Sequence, residues 1–512
     1  MSCGYKLADY EKGMAIMMKK VVIIGGGVSG LTAGIYLQKA GMQTEIYEKN
    51  TVAGGLCTGW KREGFYIDNC VHWLTGAKEG SDLNQLWKEV GVLGEDVLLY
   101  QKEKFFSAEL NGDKITFWRD KERTRKELLA LSPEDAEEIN QLMDAVKMAE
   151  SMTVPVEKPF DMMSPIDYVK MGISMADMGK VMKLYGKMDI KELAARFHHP
   201  LIRMAITDYM PPGYQAYAFV VSYATVTGGN GDIPRGGSLE MAMRMVKRYQ
   251  KLGGMICTGK EVQKVLIKGQ RAEGILLADG KTIKADYVVC ATDTRHTFTR
   301  LIDGSYMPGG LSKIYKERES YPVVSAFHVA FGIEGSLDEA KETNVFACRP
   351  ITIGMSRTER MSINNYSYEP DFAPAGKSII QSTFVQSEED YEYWIKLYQD
   401  QEAYHKKKAE LSEEIQRRLI DKYPQLQGRV HILDAWTPAT YNRYCNAWNG
   451  AYMGFIVTRN AKNRTVPGKI KGLPNVMIAS QWLMGPGGLP VAATMGKFAA
   501  QRIMKLEKLD FM

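Results

Sequence analysis

The sequence predicts an α/β fold in which a parallel-sheet domain is assembled from separated pieces of chain, with a mixed α+β domain inserted between them. Three observations predict it. Four β-branched apolar residues, Val21 to Ile24, lead straight into Gly25-x-Gly27-x-x-Gly30 and an apolar helical stripe. A second strand, "QTEIYEK", follows and runs up to an acid, Glu48. Glycine-punctuated strands and helices of this kind return at 231–293 and 472–503, with long unlike stretches between them.

The first element explains itself residue by residue. Val21 to Ile24 is apolar on both faces, as a buried parallel strand requires. Gly25 makes the tight turn, Gly27 lets a ligand approach the backbone, and Gly30 lets the helix pack closely on the strand. Leu31, Ile35 and Leu37 form the helical stripe, which stops at Gly41. The start of that helix offers free N–H groups and a positive dipole end to phosphates. Glu48, 18 residues beyond Gly30, is spaced to accept hydrogen bonds from ribose hydroxyls, and its charge disfavours a 2′-phosphate. Together these indicate a Rossmann-type site for an adenine dinucleotide.

The residues after Glu48 narrow the ligand. Ala53-Gly54-Gly55 is a second glycine pair that simple NAD dehydrogenases lack. In this position it resembles the pattern of the FAD-dependent amine oxidase and phytoene desaturase superfamily, where such a pair lies against the flavin. Three further blocks resemble the same superfamily, in its order. They are "GDIPRGGSLEMAMRMVKRYQKLGGMI" (231–256), the β-meander "TGKEVQKVLIKGQRAEGILLADGKTIKADYVVCATD" (258–293), and the closing "GLPNVMIASQWLMGPGGLPVAATMGKFAAQRI" (472–503). The turn "GPGGLP" and the long middle region look closer to phytoene desaturases and retinol saturase-like enzymes than to amine oxidases. Two positions depart from the pattern. Leu56-Cys57 stands where an Arg is common, and Ser480-Gln481 where an acid is common, although Gln481 can still donate to a phosphate or ribityl oxygen.

The resemblance implies a discontinuous, GR2-like FAD-binding domain. Its pieces are expected at 1–105, 220–300 and 425–512, with 106–219 and 301–424 forming the substrate domain. On the matching positions it implies FAD contacts from Gly25, Gly27, Val28, Ser29, Gly30, Glu48, Lys49, Gly54, Gly55, Leu56, Val262, Gln481, Gly488, Leu489 and Val491. Val262 would stand on the adenine side, and the closing helix would point at the pyrimidine end of the flavin, where charge grows on reduction. The closing motif has no cysteine, so the FAD is expected to be non-covalent.

Composition sets bounds on the rest. The 512 residues suit two or three domains, and 45% apolar with 25% charged residues is ordinary for a soluble protein. A net charge of +6, with no basic block interleaved with aromatics, gives no reason to expect nucleic acid. The seven cysteines are scattered, odd in number and without a CxxC pair, and read as free thiols in a reducing compartment. No apolar run approaches the roughly 18 residues a bilayer crossing needs, and the first twenty or so do not read as a signal peptide. Residues 1–17 are expected to be an extension ahead of the first strand, and the cytoplasm is the expected location.

The first insert is rich in methionine. Met171, Met175, Met178, Met182 and Tyr185 recur at helical spacing. They read either as a core face or as the lining of an apolar channel or a face on a membrane, which would put the protein at its inner surface. In the second insert, 404–419 reads as a solvated helix. No metal site is expected, and His198-His199 before Pro200 reads as a helix end. Cys57 reads as a small packing residue. His72, after "GFYIDNCV", is the one candidate catalytic residue, to orient substrate or take a proton.

The scarcity of nucleophiles agrees with hydride chemistry at a flavin. The reaction implied by the resemblance is desaturation, saturation or isomerisation of C–C double bonds in a hydrophobic polyene or isoprenoid, with an unidentified electron donor or acceptor. Two other readings stay open. One is a flavin amine oxidase, for which Trp436, Tyr441, Tyr444, Trp448, Tyr452 and Trp482 are numerous enough to form an aromatic cage. The other is a non-catalytic FAD-binding module.

Overall fold

An all-apolar strand has to be covered on both faces, and Lys20–Ile24 lies inside a six-stranded sheet. Its order is Lys469–Ile470, Leu473–Ile478, Tyr287–Cys290, Lys20–Ile24, Gln43–Tyr47, Met255–Cys257. The computed structural model describes residues 19–210, 213–462 and 464–510, so the expected N-terminal extension lies outside the described residues. The sheet is parallel apart from the edge hairpin of Lys469–Ile470 with Leu473–Ile478. Ile24 is in register with Tyr47 and Cys290, and Cys290 with Ile478, so four strands end level at one edge.

Alternation along the strand sends its residues into two cores. Val21 and Ile23 pack with helices Val28–Lys39 and Gly237–Lys251. Val22 and Ile24 pack with the antiparallel meander Val262–Lys268, Arg271–Leu277 and Thr282–Lys284. The last long helix, Leu489–Leu506, contributes to both cores. It approaches the first helix so closely that a Cβ on Gly496 would sit 2.3 Å from the Ser29 carbonyl oxygen.

The second sheet has seven strands, ordered Val430–Trp436, Ser325–Glu334, Lys377–Gln386, Ser356–Asn365, Glu342–Ile353, Lys104–Leu110, Asp113–Trp118. Only the pairing of Lys104–Leu110 with Glu342–Ile353 is parallel. Strand Ser325–Glu334 is buried on both sides. Phe327, Val329, Phe331 and Ile333 meet helices Glu388–Leu397 and Gln401–Lys422. Ala330, on the opposite face, packs with Phe65, Ile67 and Trp436, and His328 stacks on Trp436. The helix expected at 404–419 is the body of Gln401–Lys422, with Tyr404, Leu411, Ile415 and Leu419 buried and the charged face outward.

The methionine-rich stretch is two helices, Pro165–Ser174 and Ala176–Tyr185, broken at Met175. Met178 and Tyr185 are buried, and Met175 and Met182 pack at the rim of the same helical core, so the stripe from Met175 onward is a core face, whereas Met171 lies outside that core. What lies exposed is a different set. Ile166, Val169 and Ile173 are 68%, 62% and 72% exposed, and helix Pro165–Ser174 buries no residue. It is held instead by a capping box, Ser164 with Asp167, and by Pro165 in its first turn. His199 caps helix Pro200–Tyr209, its Nδ1 accepting from the Leu201 N–H, and His198 binds Asp135.

Candidate functional site

The level edge of the parallel sheet opens onto a cleft with about 1130 Å³ of empty space, its open mouth included. Ligands of α/β sheets bind at such carboxyl edges because the strand ends and helix starts there leave backbone groups unpaired. Gly25, Gly27, Val28, Ser29, Glu48, Lys49, Gly54, Gly55, Leu56, Val262, Gln481, Gly488 and Leu489 all line this cleft. Gly30 and Val491 do not. A Cβ at Gly30 would lie 2.0 Å from the Gly25 oxygen, so this glycine serves the turn itself, and Val491 is buried in the core with Trp482 and Met495.

Two glycines have an open side. Around a Cβ at Gly27 the nearest protein atoms are 3.9 Å away, and around one at Gly488 the only near atom is Pro490 Cδ, at 3.9 Å. Packing within the protein does not require glycine at Gly27, whose φ of −75° suits any residue. A side chain there would fill the cleft. Both glycines are N-caps, of Val28–Lys39 and Leu489–Leu506, with no side-chain cap and no acid in the first turn. Two positive helix ends from opposite ends of the chain thus face one cleft, an arrangement suited to phosphate and to a ring that gains negative charge.

The other walls are fixed by hydrogen bonds. The Gly54 N–H donates to the Gly26 carbonyl at 2.9 Å, tying the two glycine runs together. Glu48 accepts from the Gly26 N–H and the Asn50 N–H, each at 2.8 Å, which orients its carboxylate and leaves lone pairs on both oxygens. Lys49 Nζ donates to the Arg443 carbonyl and Asn446 Oδ1, drawing in the segment 443–446. Gln481 Oε1 accepts from the Gly488 N–H at 2.7 Å, so its amide N–H₂ is left as donor.

Asp293 and His296 line the cleft and escaped the sequence reading. Asp293 accepts from the N–H groups of Arg295, His296 and Trp448, and burial pushes its carboxyl up to about 6. His296 is held down to about 4 by burial and by the charges of Lys49 and Arg300. Tyr444, Tyr452 and Trp482 line the cleft, whereas Trp436, Tyr441 and Trp448 do not. Cys57, buried in the wall, donates to the Ser238 carbonyl, and the Cys70 thiol and burial keep it protonated.

Behind Cys70 runs a buried polar chain. The Tyr441 hydroxyl donates to Asn69 Oδ1 at 3.1 Å, accepts from Trp436 Nε1 at 3.2 Å, and lies 2.9 Å from His328 Nε2. His328 Nδ1 meets Thr383 Oγ1 at 3.0 Å, and its ring stacks on Trp436. Burial drives His328 down to about 3, and holds the Tyr441 phenol well above its ordinary range. Ser238 pins the start of this segment, accepting from the Val71 N–H and donating to Asp68, whose carboxyl burial raises to about 6. His72, the expected catalytic candidate, faces a second and smaller cavity with Lys102, Glu342, Tyr366 and Tyr368. Burial, with the charge of Lys102, lowers it to about 4.

A family model described as flavin containing amine oxidoreductase matches residues 28–504. Among curated proteins, a phytoene desaturase (lycopene-forming) of Paracoccus sp. (strain N81106 / MBIC 01143) is 24% identical, covering 70% of this chain and 73% of its own. A 4,4'-diaponeurosporene oxygenase of Staphylococcus aureus (strain MW2) is 22% identical over 95% of this chain and 98% of its own. An all-trans-retinol 13,14-reductase of Homo sapiens is 23% identical over 85% of this chain and 77% of its own. In structure the chain is similar to an oxidoreductase from Methanosarcina mazei, with TM-score 0.59, 18% identity, and coverage of 95% of this chain and 100% of that one.

Proposed function

Because the chain belongs to the flavin containing amine oxidoreductase family, as an FAD-dependent oxidoreductase, we propose that it desaturates, saturates or isomerises C–C double bonds of a hydrophobic polyene or isoprenoid. The observation that carries this reading is the electrical character of the region behind Cys70. His72 and His328 are driven down to about 4 and about 3, and Tyr366, Tyr368 and Tyr441 are raised, so each is uncharged at neutral pH. The part of this region formed by Tyr441, His328 and Trp436 is buried, aromatic and uncharged, which suits an uncharged apolar molecule and offers no charge to balance an ammonium.

The cleft fits FAD, and the residues divide its parts. We assign the pyrophosphate to the helix start at Gly27, Val28 and Ser29, where a Cβ would take its place. Glu48 takes the adenosine ribose, Val262 the adenine side, and Gln481 a ribityl or phosphate oxygen. Gly54, Gly55 and Leu56 form a floor for the flavin, and Gly488 and Leu489 bring the second helix end to its pyrimidine edge. The closing motif holds no cysteine, and we assign the cofactor no covalent link. Bound FAD supplies hydride exchange at its N5. The chain's part is to hold substrate carbon beside that position, to exclude water with Tyr452 and the Tyr441–His328 pair, and to keep those groups neutral.

The same reading extends to delivery of the substrate. Among the described residues no helix is long and apolar enough to cross a membrane. Helix Pro165–Ser174 carries Ile166, Val169 and Ile173 along one exposed face, with exposed Lys170, Lys180, Lys183 and Lys187 nearby. We place this helix on an anionic lipid surface, from which an apolar substrate would enter. The flavin amine oxidase reading has the aromatic lining residues Tyr444, Tyr452 and Trp482 in its favour.

Anaerobic titration of the purified yellow protein with polyenes and extracted lipids, following the flavin absorption band, tests the proposal. Bleaching or recovery of the band by such a component is the expected result. Peroxide release with a panel of amines, and no response to polyenes, would replace it with the amine oxidase reading.

A further inference from the structure

The smaller cavity, with about 250 Å³ of empty space, its open mouth included, lies close to the cleft. His72 lines it two residues after Cys70, which lines the cleft, so their backbones are at most about 7 Å apart. Its oddity is Lys102. This lysine is 4% exposed, yet among the described residues its Nζ has no ion-pair partner and one hydrogen-bond acceptor, the Phe105 carbonyl at a marginal 3.5 Å. Its neighbour Lys104, also buried, is satisfied by Ser107 Oγ at 3.0 Å and Asn344 Oδ1 at 3.2 Å. A buried amine without a partner is costly unless something is meant to meet it.

The groups around Lys102 say what that is. Glu342 is already occupied, accepting from the Tyr100 hydroxyl at 2.8 Å and from the N–H groups of Glu103 and Lys104. His72 has no hydrogen-bond partner among the described residues and, uncharged, has one N–H to give. Asn364 Oδ1 accepts from Thr343 Oγ1 at 2.8 Å, which leaves its amide N–H₂ as donor. The cavity therefore has donors to spare, and its two charged groups, Lys102 and Glu342, are of opposite sign. A carboxylate would leave it with a net negative charge, whereas an uncharged oxygen would satisfy the donors without adding charge.

We propose that this cavity receives the oxygen-bearing end, carbonyl or hydroxyl, of a mono-oxygenated polyene, with Lys102 and His72 donating to that oxygen while the apolar remainder runs to the flavin cleft. The inference rests on the polyene reading above. It makes Lys102 and His72 binding residues that select substrate and set its depth in the site.

The test uses the FAD-loaded enzyme in detergent micelles, without oxygen, and four probes of one carbon skeleton: all-trans-retinal, all-trans-retinol, all-trans-retinoic acid and the matching hydrocarbon, axerophtene. Affinity is read from perturbation of the flavin spectrum. Retinal or retinol should bind roughly tenfold or more tightly than the hydrocarbon, and more tightly than the acid. Whichever of the two leads assigns carbonyl or hydroxyl. Lys102→Met should bring the ratio to the hydrocarbon near one. A second measurement needs no variant. With retinal and cyanoborohydride, the Lys102 amine forms a C=N bond to the carbonyl carbon with loss of water, and hydride from cyanoborohydride reduces it. Peptide mass mapping should then find the adduct on Lys102 ahead of the exposed lysines. Equal binding of hydrocarbon and oxygenated probes, tightest binding of the acid, a preference surviving in Lys102→Met, or adducts on exposed lysines alone would each overturn the proposal while leaving the polyene reading intact. If none of the four perturbs the flavin, the polyene reading falls and this inference falls with it.

Discussion

Gly27→Ala and Gly30→Ala differ by one methyl each and three residues in position, and should fail in opposite ways. At Gly27 the added Cβ meets no protein atom closer than 3.9 Å, and φ is −75°, so the empty protein accommodates alanine. An N-cap Gly→Ala change costs about 0.5 kcal/mol, a melting shift of about half a degree for a chain of this size. The methyl projects instead into the cleft where the pyrophosphate is assigned. Pushing that group back by about 1 Å forfeits two charge-assisted N–H···O bonds worth about 1.5–3 kcal/mol each. FAD affinity should fall by roughly two to four orders of magnitude. At Gly30 the Cβ would stand 2.0 Å from the Gly25 oxygen and 3.2 Å from Ala291 Cβ, so the fold itself must give way. The assay is reconstitution of apoprotein with FAD, followed by flavin fluorescence quenching and by melting with and without FAD. Gly27→Ala binding FAD within about threefold of wild type, or melting several degrees low when empty, would refute the assignment of the pyrophosphate to this turn.

Other outcomes follow from the same geometry. Replacing Ile166, Val169 and Ile173 together with serine removes about 1–2 kcal/mol of buriable surface at each site, and should lower binding to anionic liposomes about a hundredfold or more, measured by sedimentation, with the melting temperature unchanged. Tyr441→Phe leaves His328 Nε2, Asn69 Oδ1 and Trp436 Nε1 without their shared hydroxyl, and should cost about 1–3 kcal/mol in urea unfolding at unchanged FAD content; an unaltered midpoint would show the chain to be dispensable. His328 has a folded value near 3, below its unfolded 6.5, so it contributes stability at neutral pH that is lost as pH falls from about 6.5 toward 3. His72 and His296, each near 4, act with the same sign, while Asp68 and Asp293, raised to about 6, act with the opposite one as they protonate. His328→Gln should flatten the slope of stability against pH in that window by about 1.4 kcal/mol per pH unit. The slope rather than the level is the readout, and an unchanged slope would mean that His328 is protonated in the folded protein.

What could be read in the sequence was what the backbone demands locally. Gly25, Gly54 and Gly55 adopt positive φ, and Gly27 and Gly488 are open toward the cleft, so residue type and spacing betray them without any knowledge of distant chain. Glu48 was legible for the same reason, being placed by the length of one helix and one strand. The Asn69–Tyr441–His328–Thr383 chain was not. Its members are joined only when the register of the seven-stranded sheet sets His328 beside both Thr383 and Trp436, and no short-range pattern encodes that pairing. Asp293 was inside a segment that was recognised, but its value lies in capping one turn while accepting from Trp448, 155 positions away. The methionine stripe had the right period and two open readings. Packing chose the core, and left exposed the residues between, which have no methionine signature.

One wall of the cleft is made by residues 24–29 and another by residues 480–492. While the polypeptide is still being synthesised, the first wall can form but its counterpart has yet to leave the ribosome. Flavin capture therefore waits for the closing segment, and any product that terminates before that helix should be colourless however well its earlier parts have folded.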